Sequence, residues 1–539
     1  MHRRRFAAVV SGALIAGATA VAGSSGITSA TPIPSEEPPL PSVRFDELGR
    51  YSTNAATGTE TAAEIVAFED DTLYVMSVGQ IDVVDISDPT LPFKEGEIPL
   101  PGDPTSVAVD NALVAVSIPG VPRTEPGTVL FFQGTRPAGQ VTVGALPDMV
   151  TFTPDGRTLV VANEGEPSSY NQPDSVDPEG TISLIDTKNF RKRQALDRAP
   201  RERAKTISFA SFNVGERRNR DLPAGVRITG PNATVAKDLE PEYITVADDS
   251  RTAWVSLQEN NAIAILDLRS KRVDEIIALG TSDHSRAGFG IDASDRDNRI
   301  NTANWNVRGL YMPDGIANYE VDDEQYVVTA NEGDAREYTG FTDVGRAAAV
   351  ADTATIPAAA ISAELGRLNV FTTAPKNAAG KVTELQSLGS RSFSIRTEDG
   401  DLVWDSGDDF EQITARTFPG NFNASNSSND FDGRSDDKGP EPENVVVGKI
   451  DRRQYAFIAL ERIGGVMVYD VTDPTAPVFQ QYLTSRVFPA STGGTVGPDS
   501  GPEGLVFVPA KESPTDSPLI IAGNETTGTV SIFGAVPTD

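Results

Sequence analysis

The chain contains no cysteine and only two histidines, His2 and His284, among its 539 residues. Without cysteine, disulfide bonds, thiolate metal sites and cysteine nucleophiles are excluded. Two histidines exclude zinc sites built from several histidines and the HExxH motif of metalloproteases. P-loops, dinucleotide-binding fingerprints and the GxSxG motif of serine hydrolases are also absent. Any chemistry therefore falls to carboxylates, amides, hydroxyls and the few basic side chains.

Basic residues are scarce. Lysine and arginine total 46 against 77 aspartates and glutamates, which gives a formal net charge of -31. Such a deficit argues against nucleic acid and anionic membranes as partners and favours divalent cations, above all Ca²⁺. The alternative is that acidic surfaces simply keep secreted or salt-adapted proteins soluble.

Long hydrophobic runs are missing as well. The apolar run from Phe6 to Ala22 is too short and too rich in alanine and glycine to span a membrane. It follows three arginines, so residues 1–30 are predicted to be a signal peptide, with features of a twin-arginine signal. Residues 31–50 are a predicted Pro-rich lead-in. We expect a monomer that is secreted or held in the cell envelope, and free of an anchor because no hydrophobic tail follows Phe533.

A three-stranded β-meander between Leu146 and Asp186 is repeated along the chain. It reads LPDMVTFTPDGRTLVVANEGEP, a polar insert, then GTISLID, with Pro154-Asp155-Gly156 as its first turn. Seven copies begin at Ala63, Pro104, Leu146, Glu240, Met312, Glu441 and Gly501. One meander cannot bury both of its faces, but stacked copies can.

The first repeats are spaced by about forty residues, the length of one propeller blade. We predict an all-β fold, a single β-propeller over residues 51–539 with seven blades and with loop and short helical insertions at 188–235, 339–390 and 412–440. The third strand of the fifth unit is predicted at SFSIRTE from Ser392; a separate blade there would make eight. An open solenoid or two sandwiches are less favoured because a closed ring hides its sheet edges.

The insertion at 188–235 begins with a basic segment. Residues 188–220 carry eleven lysines and arginines against three acids. We expect a helical excursion that docks on the acidic propeller; the alternative is that it binds an anion.

Acidic residues occupy two fixed places in the repeats. One set follows a proline at the start of the first strand: Asp148, Glu242, Asp314, Glu443 and Glu503. The other set comes just after the second strand: Glu164, Glu259, Glu332, Glu461 and Glu525. In an antiparallel pair these places lie side by side, so both sets should meet at one rim of the central channel. Together with the amides of Asn163, Asn260, Asn331 and Asn524, they suit Ca²⁺ or Mg²⁺. Ordinary turn formation is the alternative.

A second acidic stretch, NDFDGRSDDKGPEPE, covers residues 429–443. Asp430, Asp432 and Asp436 around Gly433 resemble a calcium loop, although the spacing differs from that of an EF-hand. We therefore add Asp432 to the candidate metal ligands. A disordered acidic loop is the alternative.

Several long strings resemble the choice-of-anchor I family of exported β-propellers. They include VGALPDMVTFTPDGRTLVVANEGEP, DLEPEYITVADDSRTAWVSLQENNAIAILDL, YVVTANEGDAREY and NDFDGRSDDKGPEPENVVVGKIDRRQYAFIALERIGGVMVYDV. The resemblance implies a secreted or surface-held propeller, with mineral or calcium association in the animal relatives. It supplies no catalytic residues.

Two active functions agree with these features. The first is a calcium-binding extracellular or cell-envelope binding or matrix protein. The alternative is a calcium-dependent phosphoesterase, related to phytases by fold analogy only, in which Arg336, Arg391 or Arg462 steadies the phosphate. A passive scaffold is the third interpretation.

Overall fold

The β-branched runs of the repeats form antiparallel strands joined by tight turns. The structure is a computed structural model that describes residues 42–58, 61–191, 203–488 and 496–537. In three units the first two strands are joined by a two-residue turn in which both residues have positive φ: Asp70-Asp71, Asn111-Ala112 and Asp322-Asp323. Turns of this kind match the right-handed twist of the flanking strands.

The described strands form seven four-stranded sheets and three small ones. The chain begins with β1 (Arg44–Ser52). Sheet 1 contains β2 (Val66–Glu69), β3 (Thr72–Ser77), β4 (Gln80–Asp85) and β5 (Phe93–Pro99). Sheet 2 contains β6 (Ser106–Asp110), β7 (Leu113–Ile118), β8 (Pro126–Gln133) and β9 (Arg136–Ala145). Sheet 3 contains β10 (Pro147–Phe152), β11 (Thr158–Asn163), β12 (Thr181–Asp186) and β13 (Lys205–Ser208). Sheet 4 follows helix α1 (Val235–Asp238) and contains β14 (Pro241–Val246), β15 (Thr252–Leu257), β16 (Ala262–Asp267) and β17 (Arg272–Ala278).

The second half of the chain has longer insertions between its strands. Next come β18 (Thr281–Asp283), β19 (Val307–Leu310), β20 (Ile316–Val321), β21 (Glu324–Asn331), β22 (Glu337–Tyr338), β23 (Phe341–Thr342), β24 (Val344–Arg346), α2 (Ala347–Val350), α3 (Ala358–Ala360), β25 (Asn369–Phe371), β26 (Leu385–Ser387), β27 (Ser392–Thr397), β28 (Leu402–Asp405) and α4 (Asp409–Thr417). The chain continues with β29 (Pro442–Ile450), β30 (Arg453–Leu460), β31 (Val466–Asp470), β32 (Val478–Leu483), β33 (Pro502–Val508), β34 (Leu519–Asn524) and β35 (Thr529–Val536). Sheet 5 is β20-β21-β27-β28, sheet 6 is β29-β30-β31-β32, and sheet 7 is β33-β34-β35-β1.

The seven four-stranded sheets form a closed ring. The first strand of each sheet contacts the first strand of the next, and β33 of sheet 7 contacts β2 of sheet 1. A buried hydrophobic cluster fills each gap between neighbouring sheets. This arrangement is a β-propeller, as predicted. The third strand of sheet 5 starts at Ser392, as expected.

Strand β1 closes the ring from the N-terminal side. Its residues pair with β35 from Arg44↔Val536 to Ser52↔Thr529, so the outer strand of sheet 7 comes from the opposite end of the chain. Phe45 is buried there and meets the ring of Phe457 edge-on, with centroids 5.5 Å apart. Residues 44–50 therefore belong to the propeller and not to the lead-in. The predicted signal peptide and the lead-in up to residue 41 lie outside the described residues.

The insertions pack on the propeller as small satellite structures. The insertion at 339–390 carries β23 to β26 with α2 and α3, and its residues, such as Val370, pack in one buried cluster with Ile291 and Val307. The insertion at 412–440 continues from α4 as an irregular loop. Among the described residues, no helix has the length and apolar character needed to cross a membrane.

The basic segment differs from the expected helical excursion. Its described part, residues 188–191 and 203–220, contains β13 and two single 3₁₀ turns, Ala210–Phe212 and Asn219–Asp221. Arg218 docks this part on sheet 4, because its guanidinium donates to the carbonyl oxygens of Val273 at 2.6 Å and Asp274 at 2.7 Å. Residues 192–202 lie outside the described residues.

Candidate cation site

The two sets of acidic residues meet at one end of the ring because of strand register. Pro147 of β10 pairs with Asn163 of β11, so Asp148 at the start of one strand and Glu164 just past the end of the other lie at the same edge of the sheet. Sheets 6 and 7 repeat this register at Pro442 and Pro502. In sheet 4, Pro241 pairs with Leu257, so Gln258 takes the place of the second acid and Glu259 stands one residue further on. In each of these four sheets the register shifts just after the proline. A β-bulge at this place turns the following side chain away from the regular pleat.

The acids line a cavity of about 320 Å³, called the central cavity here. Its walls are Asp148, Glu164, Glu242, Gln258, Asp314, Glu332, Asp334, Lys438, Glu443, Glu461, Arg462, Glu503 and Glu525. Nine of the eleven ligands predicted from the sequence are among them. Glu259 joins the same wall through its contacts with Glu164 and Glu242. The repeated acids thus converge on a single space.

Carboxylate oxygens come within 4.8 Å of one another in three triads. The first triad is Glu164, Glu242 and Glu259, the second triad is Asp314, Glu332 and Glu443, and the third triad is Glu332, Glu441 and Glu461. Two unit charges about 4 Å apart repel by roughly 4 kcal/mol at an effective dielectric near 20. Each triad must therefore take up protons, pair with basic side chains or bind a cation.

Two members of the first triad are buried, and its three carboxylates form no ion pair with the described basic side chains. Glu242 is 8% exposed and Glu259 is 5% exposed, and one oxygen of each, Oε2, has no hydrogen-bond donor. Within the described part of the chain, no lysine or arginine nitrogen lies within 4.0 Å of the three carboxylates. Burial, followed by the charge of neighbouring carboxylates, raises the pKa of Glu164 and Glu242 well above its usual value. Burial also raises the pKa of Glu259, and the charge of the more distant Arg336 opposes that rise. The triad has the oxygens and the unmet charge of a cation site.

The carboxylates of the third triad, in contrast, all pair with basic side chains. Lys438 forms an ion pair with Glu332 and lies 2.9 Å from Glu441. Arg462 reaches Glu441 at 3.0 Å and Glu461 at 2.9 Å. Arg434 adds a contact of 2.6 Å to Glu441. These cations outweigh burial and hold the pKa of Glu441 well below its usual value.

The second triad lies between these two extremes. It shares Glu332, and hence Lys438, with the third triad. Burial, then the charge of Glu332, raises the pKa of both Asp314 and Glu443 well above the usual value. The Oε2 oxygen of Glu443 has no hydrogen-bond donor. This triad could hold a cation once Glu332 is released.

The asparagines of the repeats do not serve as rim ligands. Asn163 is fully buried and its amide nitrogen donates to Thr181 O at 3.0 Å and Ser183 Oγ at 3.0 Å, while its oxygen accepts from Gly144 N at 2.9 Å. Asn260, Asn331 and Asn524 are likewise buried and bonded within the fold. Their role is to tie strands together next to the acids.

Asp432 does not line the central cavity. It is buried in the insertion at 412–440, where Oδ1 accepts from Ser435 Oγ at 2.5 Å. Burial, opposed by that hydrogen bond, and the nearby Asp292 raise its pKa to about 8. The acidic loop therefore does not fold around Gly433 as a calcium loop, because Asp436 instead pairs with Arg346 at 2.7 Å and Arg367 at 2.6 Å.

Two of the three arginines expected near a phosphate are occupied elsewhere. Arg336 is fully buried against Glu240, and Arg391 pairs with Glu411 at 2.6 Å. Only Arg462 lines the central cavity. Lys438, Gln258 and Asp334 also line it but were missed in the sequence, although Lys438 stands three residues before Glu441 in the acidic stretch already singled out.

The sequence model of the choice-of-anchor I domain matches residues 64–474, which is most of the chain. The chain belongs to the choice-of-anchor I family. Gigasin-3a of Magallana gigas is 31% identical to this choice-of-anchor I protein over 192 residues, which cover 33% of this chain and 67% of Gigasin-3a. A mesenchyme-specific cell surface glycoprotein of Strongylocentrotus purpuratus is 28% identical over 305 residues, 49% of this chain and 38% of that protein. The match thus spans well under half the length of the latter relative.

Among solved structures, the WD40 domain of Toxoplasma gondii coronin aligns with this choice-of-anchor I chain at a TM-score of 0.45 and 8% identity. The alignment covers 93% of this chain and 88% of the coronin domain.

Proposed function

We propose that this chain is an extracellular or cell-envelope binding protein that holds divalent cations, above all Ca²⁺, in its central cavity. The first triad carries the proposal. It brings three carboxylates within 4.8 Å, and two of them keep an unbonded oxygen while more than nine-tenths buried. Buried charged groups ordinarily have partners, so an unbonded pair of carboxylates calls for a cation or for protons.

The ligand chemistry favours calcium over transition metals. All candidate ligands in the triads are carboxylate oxygens, which hard cations prefer. Calcium accepts six to eight oxygens in irregular geometry, whereas magnesium demands a near-ideal octahedron and keeps several waters. The carboxylate of Asp148 on the same cavity wall supplies a further oxygen donor. Residues Glu164, Glu242 and Glu259 would hold the ion, with Asp148 as a further oxygen ligand.

The location outside the cell is supported by the family and by one relative. The Strongylocentrotus purpuratus protein is named as a cell surface glycoprotein. The predicted N-terminal signal peptide agrees with this location.

Calcium is expected to raise the melting temperature of the purified protein above its value in chelator. A ligand present at about one hundred times its dissociation constant stabilises a fold by about 2.7 kcal/mol. In the double variant Glu242→Gln/Glu259→Gln the shift should disappear, because the triad loses two of its three charges. Differential scanning calorimetry measures the shift, and isothermal titration calorimetry measures the affinity.

The control is Glu275→Gln, since Glu275 is an exposed acid of β17 outside the cavity. This variant should keep the full calcium response. In chelator, the double cavity variant should melt no lower than the unaltered protein because it has lost charge repulsion. If calcium leaves the melting temperature of the unaltered protein unchanged, the proposal is contradicted.

A calcium-dependent phosphoesterase is the second candidate, favoured by one observation: Lys438 and Arg462 line the same cavity as the carboxylates. Bound calcium would supply charge to polarise a phosphate ester, and the two basic side chains would orient it. This candidate predicts calcium-dependent release of phosphate from p-nitrophenyl phosphate, lost in Glu332→Gln and in Glu443→Gln while both variants stay folded. If the calcium-loaded protein releases no phosphate from p-nitrophenyl phosphate, the phosphoesterase candidate is eliminated.

A further inference from the structure

Lys438 places a positive charge of the protein itself inside the central cavity. The residue is 7% exposed, and its ammonium group contacts two carboxylates, Glu332 and Glu441. Glu332 belongs to both the second and the third triad. The ammonium thus occupies a position among carboxylates that a free cation would otherwise take.

The backbone around Lys438 is held in place by buried groups. Arg391 donates to the carbonyl oxygens of Ser435 at 2.9 Å and Asp437 at 2.8 Å. Gly439 follows with φ of 67°, and a Cβ atom there would lie 2.9 Å from Cδ of Arg391. Lys438 therefore projects from a fixed backbone, so its position in the cavity is built into the fold.

Both oxygens of Glu332 are already engaged. Oε1 accepts from the Lys438 ammonium, and Oε2 accepts from Gln258 Nε2 at 2.7 Å. The other members of the second triad, Asp314 and Glu443, have no lysine or arginine within ion-pair distance in the described residues. A divalent cation at the second triad must consequently compete with Lys438 for Glu332.

We propose that the Lys438 ammonium is a tethered counter-ion that competes with divalent cations for Glu332 and keeps the second triad from binding one. The inference builds on the proposed function, since it assigns the first triad as the calcium site of the native protein. It also makes Lys438 the residue that sets how many cations the cavity accepts.

The test is Lys438→Gln, assayed by calcium titration in a calorimeter. Removing a positive charge a few ångströms from the second triad should add one bound calcium per chain, or tighten its weakest calcium site at least about tenfold. Lys438→Arg is the matched control, because it keeps the charge and should show native stoichiometry. Adding Glu332→Gln to Lys438→Gln should abolish the gain.

The outcomes separate this inference from the proposed function. If Lys438→Gln binds calcium with native stoichiometry and affinity, the inference is overturned, whether or not the native protein binds calcium at the first triad. If the native protein binds none and Lys438→Gln binds one, the inference stands and the proposed function fails. Lys438→Met, which keeps the aliphatic stem, replaces the glutamine variant if that one does not fold, and the same criteria apply.

Discussion

Replacing Arg336 with methionine is expected to lower the free energy of unfolding by about 3–5 kcal/mol, the cost of leaving a buried charge without its partner. Arg336 has no exposed side-chain surface. Its guanidinium lies 2.7 Å from Glu240 and 3.7 Å from Asp238, and donates to the carbonyl oxygen of Asp238 at 2.8 Å. Because Arg336 follows β21 of sheet 5 and Glu240 precedes β14 of sheet 4, the pair also joins two neighbouring blades.

The loss should depend on pH. Burial raises the pKa of the Glu240 carboxyl group and Arg336 opposes that rise, so the variant favours a protonated Glu240. The destabilisation is then smaller at about pH 5 than at about pH 8. Urea unfolding followed by tryptophan fluorescence measures both values. The control is Arg44→Met, which breaks an exposed pair with Asp46 and should cost at most about 1 kcal/mol. Equal losses in the two variants would show that the buried ion pair contributes no more than a surface one.

The strands and the meeting of the acids could be predicted because both follow from local pattern. Alternating apolar residues and turn dipeptides define each meander, and antiparallel pairing places the start of one strand beside the end of the next. Asp148 and Glu164 come together for this reason. The β-bulge after Pro147 was not predictable, since nothing in the sequence marks where the register shifts.

Contacts between distant segments could not be predicted from the repeats. Among the described strands, β1 pairs with none that lies near it in sequence, because its backbone ladder is formed with β35 near the other end of the chain. Asn163 looked like a ligand because it stands beside Glu164, yet Thr181 and Ser183 take its amide. A side chain that is next to a site residue in the sequence can instead form its hydrogen bonds within its own blade.

The position of the Lys438 charge could not be predicted from the sequence either. From its sequence, the stretch at 429–443 is a source of negative charge and resembles a calcium loop. In the fold Asp436 and Asp437 pair with arginines outside the cavity, whereas Glu443 lines the cavity and the single lysine of the stretch enters it. Composition predicts the sign of the net charge that lines a cavity. Only the fold determines which triads pair with basic side chains and which do not.

Without calcium, the protein is expected to lose stability as the pH rises from about 5 to about 8. Burial is the main cause that raises the pKa of Asp148 to about 6, of Asp334 to about 7 and of Glu461 to about 8. In the unfolded chain such groups titrate near pH 4. Between these values the folded state binds more protons than the unfolded state, so the free energy of unfolding decreases with increasing pH. Glu441 has a lowered pKa, so its contribution to the free energy of unfolding increases with pH. That change takes place below this pH range.

Calcium should cancel this dependence, because it binds the ionised carboxylates and displaces their protons. In chelator we expect the melting temperature to fall by at least about 5 °C between pH 5 and pH 8. With millimolar calcium the fall should vanish, and calcium affinity should increase with pH. The variant Glu461→Gln should flatten the slope in chelator, whereas Glu275→Gln at the exposed surface should not. A melting temperature that rises with pH in chelator would contradict this prediction. It would mean that the cavity carboxylates are already ionised in the calcium-free fold. The protein's own basic groups would then balance the repulsion between them.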